Sequence, residues 1–160
     1  MLFTPLPKGF LRHPAHLMAF GFGSGCFAKA PGTWGTLAGL LLYIPLQPLA
    51  LTWQLAIIIV AFVAGIAICE RASRALGVHD HGGIVWDEFV GFWITMFAAP
   101  TGWLWLLWGF VLFRIFDIWK PWPIRWADGH VHGGLGIMLD DVLAGVYAAI
   151  VLQLSVLVVQ

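Results

Sequence analysis

Between Lys29 and Glu70 the chain carries no charged residue at all. A run of that length offers enough apolar sequence for two membrane crossings at roughly 20 residues each. Pro45 and Pro48 divide it, because proline ends helices. The expected elements are a first helix at about 34–47 and a second at about 50–69. Composition supports the same reading. Of 160 residues, 61% are hydrophobic and only 10% are charged, and the mean hydropathy is +0.90. Soluble domains carry about a quarter charged residues, so this chain reads as an integral membrane protein. Its formal net charge is zero, which removes the electrostatic basis for nucleic-acid binding. Ten tryptophans suit the membrane edges, where indole rings settle. Cys26 and Cys69 form no C-x-x-C pattern and read as free thiols. Pro5, Pro7 and Pro14 break the N-terminal apolar run, so no cleavable signal is expected.

Charge sets the expected topology. Lys8 and Arg12, with His13 and His16, make the entry segment mildly basic. Glu70, Arg71 and Arg74 follow the second helix. Lys and Arg favour the cytoplasmic side, so residues 70–86 are assigned to that side and the turn near Pro48 to the other. The next uncharged run, Phe89 to Phe113, has the length of one crossing. A single crossing would part Asp87 and Glu88 from Asp117, Asp140 and Asp141. It would also carry Arg114, Lys120 and Arg125 outside. The turn-forming stretch Ala98-Ala99-Pro100-Thr101-Gly102 allows a helical hairpin instead, at about 84–99 and 103–118. Each arm would rise about 24 Å, short of a hydrocarbon core of roughly 30 Å. A last helix is expected from about Asp141 to Val159. The expected fold is an all-α, polytopic membrane bundle of about five helices. It forms one domain over residues 1–160, with an active site at the cytoplasmic interface.

The acidic residues fall into two similar segments. One runs His79-Asp80-His81-Gly82-Gly83 to Asp87-Glu88 and Gly91. The other runs His130-Val131-His132-Gly133-Gly134 to Asp140-Asp141 and Gly145. In each, an acid and a glycine are four apart and share a helix face. A glycine there lets two helices approach closely, so the two pairs can converge. Capping of helix N-termini and salt bridges would explain one acidic pair. Two pairs together with Asp117 point to a divalent cation. Asp87, Glu88, Asp140 and Asp141 are the expected ligands, and all-oxygen donors favour Mg²⁺ over zinc. The four H-x-H histidines keep zinc as a minority alternative.

Arg114, Lys120 and Arg125 flank Asp117, and Pro121 and Pro123 make their segment a stiff loop. Cations beside carboxylates and a metal suit a phosphate group. Signals for membrane topology are the plainer explanation. The glycine-rich stretch Gly21–Gly25, with Ser24, Lys29 and Thr33, is a candidate headgroup loop, although it is not a P-loop. Thr33 or Thr36 is placed to cap the helix that follows.

Five motifs in this order resemble the phosphatidylglycerophosphatase A family. They are Gly23-Ser24-Gly25, Pro31-Gly32-Thr33, Asp87-Glu88-x-x-Gly91, Arg114-x-x-Asp117-x-x-Lys120-Pro121-x-Pro123, and Gly133-Gly134-x-Gly136-Ile137-x-x-Asp140-Asp141. The match covers about residues 20–147. The resemblance implies a multi-pass lipid phosphatase of the bacterial inner membrane. Such an enzyme uses Mg²⁺ to convert phosphatidylglycerophosphate in the bilayer to phosphatidylglycerol. The roles assigned to individual residues are inferred from their chemistry. Asp117, Asp87 and Asp141 are the catalytic candidates, with Asp117 a further ligand, a general base or a nucleophile. Lys29, Arg114, Lys120, Arg125, Ser24 and Thr33 are the substrate-binding candidates. Two other classes compete. A membrane phospholipid phosphotransferase would need a D-G-x-x-A-R pattern, whereas Asp128-Gly129 is followed by His-Val-His. A small transporter would leave the clustered basic residues without a purpose.

Overall fold

The computed structural model describes residues 4–159. Among these residues the regular structure is entirely helical. Its helices are α1 (Pro14–Ala19), α2 (Pro31–Tyr43), α3 (Leu51–Leu76), α4 (Trp86–Met96), α5 (Trp103–Trp119), α6 (Ile124–His130) and α7 (Gly133–Val159).

The fold is built around α4, which packs on α2, α3, α5 and α7. Its sequence, W-D-E-F-V-G-F-W-I-T-M, is apolar around most of its circumference, the pattern of a helix enclosed on all sides. Every residue of it except Ile94 is buried. Polar groups in its neighbours hold it in register. The Trp93 indole donates to the Gly39 carbonyl of α2 at 2.9 Å, and that of Trp86 donates to the Ala61 carbonyl of α3 at 3.0 Å. The Tyr43 hydroxyl donates to the Met96 carbonyl at 2.7 Å.

Two helices, α3 and α7, are long and apolar enough to cross a membrane, at 26 and 27 residues. Each rises about 40 Å. Outward faces are greasy rather than polar. Val60 and Val63 of α3, Leu104 and Ile118 of α5, and Leu157 of α7 are all well exposed. An apolar surface of this kind needs an apolar surrounding.

The hairpin expected near Pro100 is present as α4, a turn through 97–102, and α5. At 11 residues, α4 rises only about 16 Å, less than the expected arm. Cys26 and Cys69 are both free. Several boundaries differ from expectation. Helix α2 starts at Pro31, a residue suited to a first helical position, and ends at Tyr43. Neither Thr33 nor Thr36 caps it, because Thr36 instead donates from its hydroxyl to the Gly32 carbonyl at 2.8 Å. Helix α3 runs on through Glu70, Arg71 and Arg74 before Gly77 ends it at φ 68°. The Glu70–Arg74 pair, one turn apart, supports that extension. Helix α7 starts at Gly133 rather than near Asp141. Glu70 explains the early start, since its carboxylate accepts the Gly134 backbone N–H and so caps α7 from α3. The stiff loop is confined to 120–123, and the short helix α6 follows it.

Candidate active site

Helices α4 and α7 touch at two glycines. A Cβ added to Gly145 would lie 2.4 Å from the Gly91 carbonyl oxygen, and one on Gly91 would lie 2.7 Å from that of Asp141. Asp87 precedes Gly91 by one turn, and Asp141 precedes Gly145 by one turn. Side chains one turn apart share a face, so contact at the glycines draws the acids together. Asp87, Glu88 and Asp141 each offer an oxygen, all within 4.8 Å of one another, and all three residues are buried. Among the described residues this is the one group of three or more potential metal-binding side chains.

The group is electrically incomplete. Asp87 Oδ1, Glu88 Oε2 and Asp141 Oδ2 are buried without a hydrogen-bond partner. Carboxylate oxygens in that state are costly unless a cation meets them. Three carboxylates with free oxygens form the donor set of a hard cation such as Mg²⁺. The start of α2 closes one side, where a Cβ on Gly32 would lie 2.4 Å from Glu88 Oε1. A side chain at residue 32 would have to displace the ends of Glu88 and Arg114.

Arg114 and Asp117 form the next layer, an ion pair one turn apart on α5. Arg114 reaches Thr36 Oγ1 at 3.4 Å, while its Nε is buried without a partner. One donor of the guanidinium is therefore free, next to the acids.

Lys120 ends α5 in the left-handed region at φ 45°, an uncommon setting for a residue with a side chain. Its ammonium lies 2.7 Å from Asp140 Oδ2 and 2.9 Å from Asp128 Oδ1. Burial works against the charge on Lys120. The two carboxylates outweigh it and hold the pKa above the ordinary lysine value. Asp140 is thus turned to Lys120 and stands outside the three-acid group, with Oδ1 unpartnered.

The remaining candidates are more dispersed. Arg125 lies on α6 and is exposed, and it lines a cavity together with Arg114. Lys29 is exposed and Thr33 is half-buried just before and within the first turn of α2. Ser24 donates to the Gly21 carbonyl at 2.9 Å, within its own turn. At Gly25 the glycine loop lies against backbone, where a Cβ would lie 2.0 Å from the Gly83 carbonyl oxygen, while Gly23 faces open space. The two H-x-H-G-G segments meet each other. His79 Nε2 accepts the Gly133 N–H at 2.9 Å, and the rings of His79 and His132 stand 5.2 Å apart, edge to face. They tie the approach to α4 to the start of α7. Nothing local in the sequence marks Glu70 as a cap, because the backbone N–H that it accepts lies 64 positions away.

Comparison with known proteins identifies the family. The family model described as phosphatidylglycerophosphatase A matches residues 17–156. Phosphatidylglycerophosphatase A of Escherichia coli (strain K12) is 50% identical over 142 residues, covering 87% of this chain and 81% of that one. The protein of the same name from Haemophilus influenzae is 51% identical over 150 residues, covering 92% of each. A Bacteroides thetaiotaomicron protein with a provisional phosphatidylinositol-3-phosphatase name is 42% identical over 147 residues, covering 87% of this chain and 91% of that one. No solved structure matches the chain. The chain belongs to the phosphatidylglycerophosphatase A family.

Proposed function

We propose that this chain removes the terminal phosphate of phosphatidylglycerophosphate in the bilayer, leaving phosphatidylglycerol and inorganic phosphate. The reading rests on one observation. Three buried carboxylates converge with unpartnered oxygens, and a guanidinium with a free donor stands beside them.

Asp87, Glu88 and Asp141 would hold Mg²⁺. The ion, when bound, neutralises charge on the phosphoryl oxygens and polarises the phosphorus centre. The other tasks fall to the chain. Arg114 donates to a phosphate oxygen through its free Nε and holds Asp117 with its other arm. Asp117 accepts the proton of the attacking water and passes it through interfacial water to the departing glycerol oxygen, which leaves Asp117 ionised again. Asp140 and Asp128 fix the Lys120 ammonium at the rim, where it attracts the anionic headgroup. The decisive experiment gives the purified full chain phosphatidylglycerophosphate in mixed micelles and measures released phosphate. Release is expected with Mg²⁺ and not with excess chelator. No release with Mg²⁺ from folded protein overturns the reading.

The proposed setting is a multi-pass protein of the bacterial cytoplasmic membrane, with the site facing the cytoplasm. Helices α3 and α7 cross it, and the α4–α5 hairpin enters from the cytoplasmic side. The exposed apolar faces and the clustering of charge at one end of α4, α5 and α7 support this. Thr101 lies in the hairpin turn. A cysteine placed at Thr101, in a background free of Cys26 and Cys69, should resist an impermeant maleimide applied to the cytoplasmic face. Labelling from that face alone would overturn the hairpin orientation.

A further inference from the structure

We propose that Arg125 binds the diester phosphate of the phospholipid substrate, in a groove on the lipid-facing side of α5 and α6. The proposal rests on the function just described and assigns the second phosphate that such a substrate carries. Phosphatidylglycerophosphate has a monoester, which is cleaved, and a diester one glycerol away, which is not.

The groove has a volume of about 670 Å³ and is lined by Phe110, Val111, Ile115, Ile118 and Trp119 together with Arg114 and Arg125. Apart from the two guanidiniums its lining is apolar. One guanidinium, Arg114, pairs with Asp117 and keeps its Nε free for the monoester. The other, Arg125, is exposed and has no hydrogen bond or ion pair among the described residues. Two cations on one apolar wall match a ligand with two anionic groups and hydrocarbon chains.

Depth supports the assignment. Trp119, Trp122 and Trp126 line a neighbouring cavity together with Arg125 and are 66%, 79% and 53% exposed. Exposed indoles gather at the headgroup level of a bilayer, where a phospholipid's diester phosphate also lies. The acyl chains would run along Val111, Ile115 and Ile118. The monoester would pass Arg114 to reach the acids.

The test uses the full chain in mixed micelles, with Arg125→Ala and Arg125→Lys. Phosphatidylglycerol serves as the competitor, because it carries the diester and no monoester. For Arg125→Ala the apparent KM for phosphatidylglycerophosphate should rise about tenfold, with kcat within about twofold. The inhibition constant of phosphatidylglycerol should rise by the same factor, and Arg125→Lys should recover part of both. An unchanged KM, a fall in kcat with KM and inhibition preserved, or a wild type that phosphatidylglycerol does not inhibit would each overturn the assignment. Failure of the parent reading looks different, since the wild type would then release no phosphate at all. Unfolding is separated by the melting temperature, which a substitution at this exposed position should leave unmoved.

Discussion

Asp141→Asn should lower kcat for phosphatidylglycerophosphate by roughly 10²–10³-fold or more, the scale on which one electrostatic stabiliser contributes to a transition state, and Asp87→Asn should do the same. Both residues belong to the buried three-acid group. Each substitution removes one charge and one strong oxygen donor while keeping the shape. The effect on the fold should run the other way. Three carboxylates in one buried space repel one another, so the metal-free variants should melt no earlier than the metal-free wild type. Mg²⁺ should raise the melting temperature of the wild type, because it binds only the folded state, and should barely move that of Asp141→Asn. Phosphate release and thermal unfolding in detergent, with and without Mg²⁺, measure both. Near-wild-type turnover in both variants would make the acids structural. Asp140→Asn is the informative contrast. Its carboxylate is on Lys120, so its loss should act mainly through the position of that lysine and leave the Mg²⁺ response of the melting temperature intact.

The convergence of these acids was readable in the sequence because it depends on spacing. An acid four residues before a glycine, occurring twice, is a statement about helix faces and close approach, and both survive any shift in helix ends. The hairpin was readable for a similar reason, since charge at both ends of one apolar run had to be kept on one side. The ends themselves were not readable. Helix α3 continues through three charged residues because Glu70 and Arg74 pair along it and Glu70 also caps α7, and that cap spans 64 positions of sequence. The same cap starts α7 well before Asp141, so this pair lies within the helix and not at its first turn. The division of labour between Asp140 and Asp141 was likewise hidden. Adjacent residues on a helix point about 100° apart, and only the packing reveals that one faces α4 while the other faces Lys120. Glycine permits close approach to a ligand and to neighbouring backbone alike, and at Gly25 the close neighbour is the Gly83 carbonyl.

Gly145→Ala should be nearly as damaging as loss of an acid, although residue 145 carries no chemistry. The new Cβ would lie 2.4 Å from the Gly91 carbonyl oxygen and 3.1 Å from its carbon. Neither is the free end of a flexible side chain, so α4 and α7 must move apart. Overpacking of this kind costs about 1–3 kcal/mol. The Thr95 hydroxyl, 3.4 Å from the Gly145 carbonyl and 3.0 Å from that of Gly91, would be displaced with them. The larger consequence is positional. Asp87 and Glu88 ride on one helix and Asp141 on the other, so a shift between the helices widens the space among their oxygens. A misplacement of about 1 Å costs on the order of 10²-fold in rate. Gly145→Ala should therefore show a lower melting temperature, roughly 10²-fold lower kcat, and a demand for higher Mg²⁺ to reach its maximum rate. Gly129→Ala is the matched control, since a Cβ there meets nothing within 4 Å, and it should leave all three unchanged. If Gly145→Ala only lowers the melting temperature while turnover and the Mg²⁺ requirement hold, the glycine contact stabilises the bundle without setting the spacing of the acids.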